Sequence, residues 1–129
     1  MSIEFEVSEE RDRIRLVCRG AFVLEEFKQV CLHGLEEAAK RGLSRLIFDA
    51  RQVTCNPTTT QRYELATYAA DLYIRRQPAS PMRIVLLLDP AVIDPEGFGQ
   101  TVARNRGVPV LVTAVESEAE AFLRGDTSE

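Results

Sequence analysis

Three short apolar runs, Leu46-Ile47-Phe48, Arg83-Ile84-Val85-Leu86-Leu87-Leu88 and Val108-Pro109-Val110-Leu111-Val112, are each separated from the next by one stretch of helical periodicity. This alternation is the strongest constraint on the chain. Strands joined by a single helix pair in parallel, because the crossover returns the chain to the starting end of the sheet, and such crossovers are right-handed. Upstream, Ile3, Phe5 and Val7 alternate with Glu4 and Glu6, and Ile14, Leu16 and Cys18 alternate with Arg13, Arg15 and Arg19, the pattern of an opening β-hairpin. From Val23 to about Lys40, Leu24, Phe27, Cys31, Leu35 and Ala38 share one helical face, and Gly42 stops the helix. A second helix is predicted from about Thr59 to Arg75. Asp94-Pro95-Glu96 predicts a third, with an acid as N-cap and proline at the first helical position, ending at Gly107. Ser117-Glu118-Ala119-Glu120 has the pattern of a capping box for a last short helix closed by Gly125. The order is ββαβαβαβα: one α/β domain over 1–125, its sheet mostly parallel with an antiparallel N-terminal edge strand, then a polar tail over 126–129. Gln77-Pro78-Ala79-Ser80-Pro81 is predicted to be a loop.

The later strands are apolar on both faces, since Ile47, Val85, Leu87 and Leu111 point opposite to Leu46, Phe48, Ile84, Leu86, Val110 and Val112. Something must cover the second face, either a helix of the same chain or a second copy. Arg13, Arg15 and Arg19, placed around Val17, read as the solvated edge of that face, and a charged rim beside an apolar centre predicts an interface and a homodimer.

A chain of 129 residues, 45% hydrophobic and 28% charged, can bury one core without disulfides or a metal. The net charge of −4 is mild and the basic residues are scattered among acids, so no nucleic-acid footprint is visible. No apolar run approaches the roughly 20 residues that span a bilayer, and the N-terminus is charged at once, so we expect a cytoplasmic protein with no membrane span. Of three cysteines, none in CxxC spacing, Cys18 and Cys31 read as core residues, while Cys55 lies in a polar loop far in sequence from His33, the only histidine. One imidazole on the solvent side of a helix does not make a metal site, and no phosphate-loop, dinucleotide, nucleophile-elbow or zinc-protease motif is present. The expectation is a domain that binds rather than catalyses, with no catalytic residue, metal or cofactor. Asp49 and Asp89, at the ends of consecutive strands, fall where open α/β sheets bind ligands, and both also suit turns.

The segment from Leu46 to Thr60 runs from a buried strand through Asp49 and Val53 into hydroxyl residues at a helix start. Here the sequence resembles the STAS domain, the module of sulfate transporters and anti-sigma-factor antagonists, in which a strand ending in Asp leads to an Asp-Ser-Ser-Gly stretch whose first serine is phosphorylated. The resemblance implies Thr58 as the phosphoacceptor; Pro57 stands at the family's acid and Thr60 at its glycine. The element order supports it over almost the whole chain. Phe98 to Gly107 is similar to small bacterial STAS-like proteins, a group related in fold to the CRAL-TRIO lipid-binding domain. The resemblance implies an interaction module in bacterial signalling, with Asp49, Arg51, Thr59 and Arg62 as the binding loop and an unknown protein partner docking on Leu65, Tyr68 and Leu72 of the second helix. Thr58 with Gln61 also makes a capping box, which needs no regulatory role. The competing reading, from the apolar strand faces, is a small-molecule or lipid binder with a pocket between helices and sheet.

Overall fold

The computed structural model of the chain, which describes residues 2–76 and 81–125, opens with the hairpin that alternation predicts. β1 (Ile3–Glu10) lies antiparallel to β2 (Arg13–Ala21), with Phe5 opposite Cys18 and Val7 opposite Leu16. There follow α1 (Leu24–Lys40), β3 (Arg45–Thr54), α2 (Thr59–Arg76), β4 (Arg83–Leu87), α3 (Phe98–Asn105), β5 (Val110–Thr113) and α4 (Glu116–Arg124). The five strands lie in the order β1-β2-β3-β4-β5, and every pairing from β2 onward is parallel. The α/β architecture and the order ββαβαβαβα are as the sequence predicts.

Strands added in one direction have a consequence that the pattern alone does not spell out. Right-handed crossovers then place every connecting helix on the same face. Phe27, Val30 and Leu35 of α1, Ala66 and Ala70 of α2 and Ala103 of α3 share one core with Leu16, Leu46, Phe48 and Ile84 of the sheet. The opposite face receives no crossover helix. It is covered instead by α4, which follows the last strand and folds back so that Ala119, Phe122 and Leu123 pack on Ile47, Val85 and Leu87. All six are at most 2% exposed. The row from which a homodimer is predicted is therefore not an open surface but a second, intramolecular core.

The arginines beside it are also not a solvated edge. Arg13 is 8% exposed, and its Nη1 lies 2.5 Å from Glu120 of α4. Arg15 meets Glu116 of α4 at 2.7 Å and Glu10 at 3.1 Å, and only the outer Arg19, paired with Glu6 at 3.2 Å, is well exposed. The acids that α4 brings down convert the row of arginines into its docking partners.

Several boundaries move, each for a local reason. β3 does not end at Asp49 but continues to Thr54, because β2 is long enough to pair with it throughout. Val17 opposes Asp49 while Arg19 opposes Gln52, so β3 carries one extra residue, a bulge that returns Val53 to the core face where Gln52 would otherwise fall. α3 starts at Phe98 and not at Pro95: the Asp94 carboxylate accepts from the Glu96 and Phe98 N–H groups, at 3.1 and 2.9 Å, and Gly97, at φ 62°, turns the chain into the helix. Ser117 is not the cap of α4, which begins at Glu116 after Val115; Thr113 Oγ1 instead accepts from the Val115 N–H at 3.1 Å and donates to Glu118. β5 starts at Val110, two residues later than predicted. Gly125 ends α4 at φ 84° as expected. Residues 77–80 of the predicted loop and the tail 126–129 lie outside the described residues.

Candidate functional site

A cavity of about 520 Å³ lies between the sheet and the three crossover helices. Its floor is Phe48, Ala50, Ile84, Leu86 and Val110, and its walls are Phe27 and Leu35 of α1, Leu65, Ala66 and Ala69 of α2, and Ala103 of α3. The sequence explains the space. α2 presents alanines at 66 and 69 where bulky residues would fill the gap, and the bulge in β3 puts Val53 on the same face as Ala50. Gly34 of α1 lets that helix ride directly on the Phe48 ring, since a Cβ there would stand 2.6 Å from the ring's Cε1 and Cζ. The cavity reaches Phe22 after β2, Cys55 and Pro57 after β3, and the Val92–Gly97 segment after β4, all beyond the carboxyl ends of parallel strands, where open α/β sheets take their ligands.

Polar groups are few and gather where these loops meet. Arg62, in the first turn of α2, lines the cavity and donates from Nη2 to the Val92 carbonyl at 3.1 Å. Asp94 stands on the same lip, its carboxyl held below the usual carboxylate range by the Phe98 and Glu96 N–H groups, with a smaller contribution from the Arg62 charge. Burial pushes the Cys55 thiol up, and the cavity lining contains no histidine. Cys18 and Cys31 are buried, their thiols pushed up to about 12 by desolvation. This is an apolar container with a small polar mouth.

The residues that the resemblance groups into one binding loop divide between the two faces of the sheet. Thr58, Thr59 and Arg62 are at the α2 start. The Thr58 N–H donates to Gln61 Oε1 at 2.9 Å while Thr58 Oγ1 accepts from the Gln61 N–H at 3.1 Å, a reciprocal capping box with Thr58 exposed. Asp49 and Arg51 are in β3, on the α4 side. Asp49, 7% exposed, accepts from Arg51 at 2.6 and 2.8 Å and from Arg15 at 3.0 Å. Arg51 also reaches Glu116 at 3.2 Å. Burial alone would push the Asp49 carboxyl up, but hydrogen bonds from the Arg51 side chain and backbone and the charges of Arg51 and Arg15 outweigh it and hold it low. Asp49 thus holds the two arginines that pair with Glu116 of α4. Asp89 is exposed and accepts from the Ala91 N–H at 2.9 Å, an Asx turn.

The proposed partner face is partly interior. Leu65, Tyr68 and Leu72 are half-buried and pack against the main core; Leu65 lines the cavity, and Lys28 of α1 sits 5.4 Å over the Tyr68 ring. Tyr63 and Ile74 are the α2 apolar residues that stand most open, 44% and 53% exposed. Sequence reasoning missed the Val92–Gly97 wall, whose apolar pair Val92-Ile93 was a legible signal, and the ion network under α4. The i,i+2 spacing of Asp49 and Arg51 and the i,i+4 spacing of Glu116 and Glu120 were the available signals for that network.

His33, on α1, packs edge-on against Phe5 at 4.9 Å and lies 3.9 Å from Glu37. Among the described residues no helix is long and apolar enough to cross a membrane. Compared with models of known protein families the chain finds no match, and compared with curated proteins it finds none either.

Proposed function

We propose that this domain binds a small, largely apolar molecule in the cavity between the sheet and helices α1 to α3. One observation carries the reading: about 520 Å³ of apolar-lined space in a chain of 129 residues. Protein interiors pack to crystal-like density with few voids larger than a water molecule, and lining atoms that face a void forgo their dispersion contacts. An occupant restores those contacts, and the volume falls in the range of ligand pockets. The position beyond the carboxyl ends of β2, β3 and β4 supports binding further, and the absence of a histidine from the lining beside Cys55 favours binding over catalysis. Titration with Nile red, a neutral apolar fluorophore, tests it. The wild type should bind with a blue-shifted emission, and Ala69→Phe, which fills the space, should weaken binding at least about tenfold while keeping the fold. No binding by the wild type, or equal binding by the variant, overturns the proposal.

A second reading, a non-enzymatic STAS-like interaction module with an unknown protein partner, is favoured by one specific observation. Thr58 is exposed at the start of an 18-residue helix whose first turn holds no acid, where the helix dipole accommodates a phosphate. Phosphate on Thr58 in protein from its own cells, together with a partner gained or lost with it, would support this reading; a chain never modified there under any growth condition would leave Thr58 a cap.

A further inference from the structure

We infer that the occupant is a single-chain amphiphile with a monoanionic carboxylate head, its chain in the cavity and its head on Arg62. The inference rests on the cavity-binding reading and adds the chemistry of the mouth. At about 30 Å³ per water-sized unit, the cavity has room for on the order of 17 heavy atoms if filled completely, which suits a chain of about twelve carbons with its head outside the apolar part. The deep walls, Phe27, Leu35, Phe48, Ile84 and Val110, offer no polar side chain to such a ligand, so any polar group must stay at the lip. The lip presents Arg62. Its only hydrogen bond among the described residues runs from one nitrogen to the Val92 carbonyl, which leaves most of a five-donor fork available. The fork is fixed in the first turn of α2, whose N-terminal end favours negative charge and carries no acid of its own.

The neighbouring acids limit the charge of the head. Asp94 and Glu96 share the lip, and both Asp94 oxygens are engaged by the Glu96 and Phe98 N–H groups, so Asp94 feels the Arg62 charge without taking up its N–H donors. The lip already holds two carboxylates to one arginine, so the head adds no more than a single negative charge, held by the Arg62 fork itself. A dianion such as a phosphate monoester would meet one cation and two like charges, and a planar carboxylate fits the guanidinium fork side by side.

Competition against bound Nile red with three probes of equal chain length, dodecanoate, dodecanol and dodecylamine, all kept below their aggregation limits, tests the inference. Dodecanoate should displace the dye at least about tenfold more effectively than dodecanol. In Arg62→Gln the ratio of the two should fall close to one, and Arg62→Lys, which keeps the charge without the fork, should restore part of it. Equal displacement by dodecanoate and dodecanol, a preference for dodecylamine, or a ratio unchanged in Arg62→Gln overturns the carboxylate head while leaving the apolar cavity standing. Failure of all three probes and of the dye together overturns both readings.

Discussion

Phe122→Ala tests the claim that one helix alone closes the second face of the sheet. The ring is 2% exposed and is the largest side chain that α4 sets on Ile47, Val85 and Leu87. Two guanidinium groups lie over the ring, with Arg83 4.9 Å and Arg104 5.8 Å from its centre, and the Phe122 carbonyl accepts from Arg83 at 3.1 Å. Truncating a buried phenylalanine to alanine costs about 3–5 kcal/mol through lost transfer energy and the cavity left behind. Here the loss should fall toward the upper end, because the six-residue cluster has few neighbours that could collapse into the gap and both cation–π contacts go with the ring. A domain of this size has about 5–15 kcal/mol in total, so the variant should be folded but sharply weakened. Urea unfolding followed by circular dichroism measures the change. Because α4 is the last described element and covers only this face, an early transition in which it detaches, exposing Ile47 and Val85, should precede or broaden the main one and lower the apparent cooperativity. A loss below about 1 kcal/mol with an unchanged slope would refute the reasoning: the ring would then not be the keystone of that face, and something other than α4 would be shielding the sheet.

Three further outcomes follow from particular contacts. Thr58→Ala should lower stability by about 1 kcal/mol in thermal or urea unfolding, and Thr58→Ser should be nearly neutral, because either hydroxyl accepts the Gln61 N–H bond. Acidification should loosen the α4 face: the Asp49 carboxyl is held low by Arg51 and Arg15, so its contribution is fully present above the ordinary aspartate value of about 4 and is lost as pH falls through its lower folded value. A pH titration of the urea midpoint should therefore drop less steeply below about pH 4 in Asp49→Asn than in the wild type. Gly34→Ala places a methyl 2.6 Å from the Phe48 ring, which borders the cavity and can yield into it. Overpacking of about 1–3 kcal/mol is offset by up to about 1 kcal/mol of helix propensity, so we expect a net loss below about 2 kcal/mol with clearly weaker Nile red binding, and unchanged binding would show that the ring does not give way.

The periodicities of the sequence determined the elements, their order and the two-faced burial of β3, β4 and β5, because side-chain spacing of two or 3.6 residues is a local property that each segment carries alone. They also indicated which residues go inside: Leu16, Phe27, Leu46, Phe48 and Ile84 read as core and are core. The capping box at Thr58 and the stop at Gly125 were legible for the same reason, since their partners lie within a few residues. What only the tertiary structure decided is what meets across the chain. Asp49 and Glu116 are 67 positions apart in sequence, and no local pattern says that α4 would bring its acids onto Arg13, Arg15 and Arg51 and turn a row of charges into a buried network. The strand order decided that all three crossover helices share one face, which left the other to α4 and not to a second copy. The cavity belongs to the same class of fact. Alanines on α2, a bulge in β3 and a glycine under Phe48 are each unremarkable in sequence, and they make a container only because three elements face one another across it.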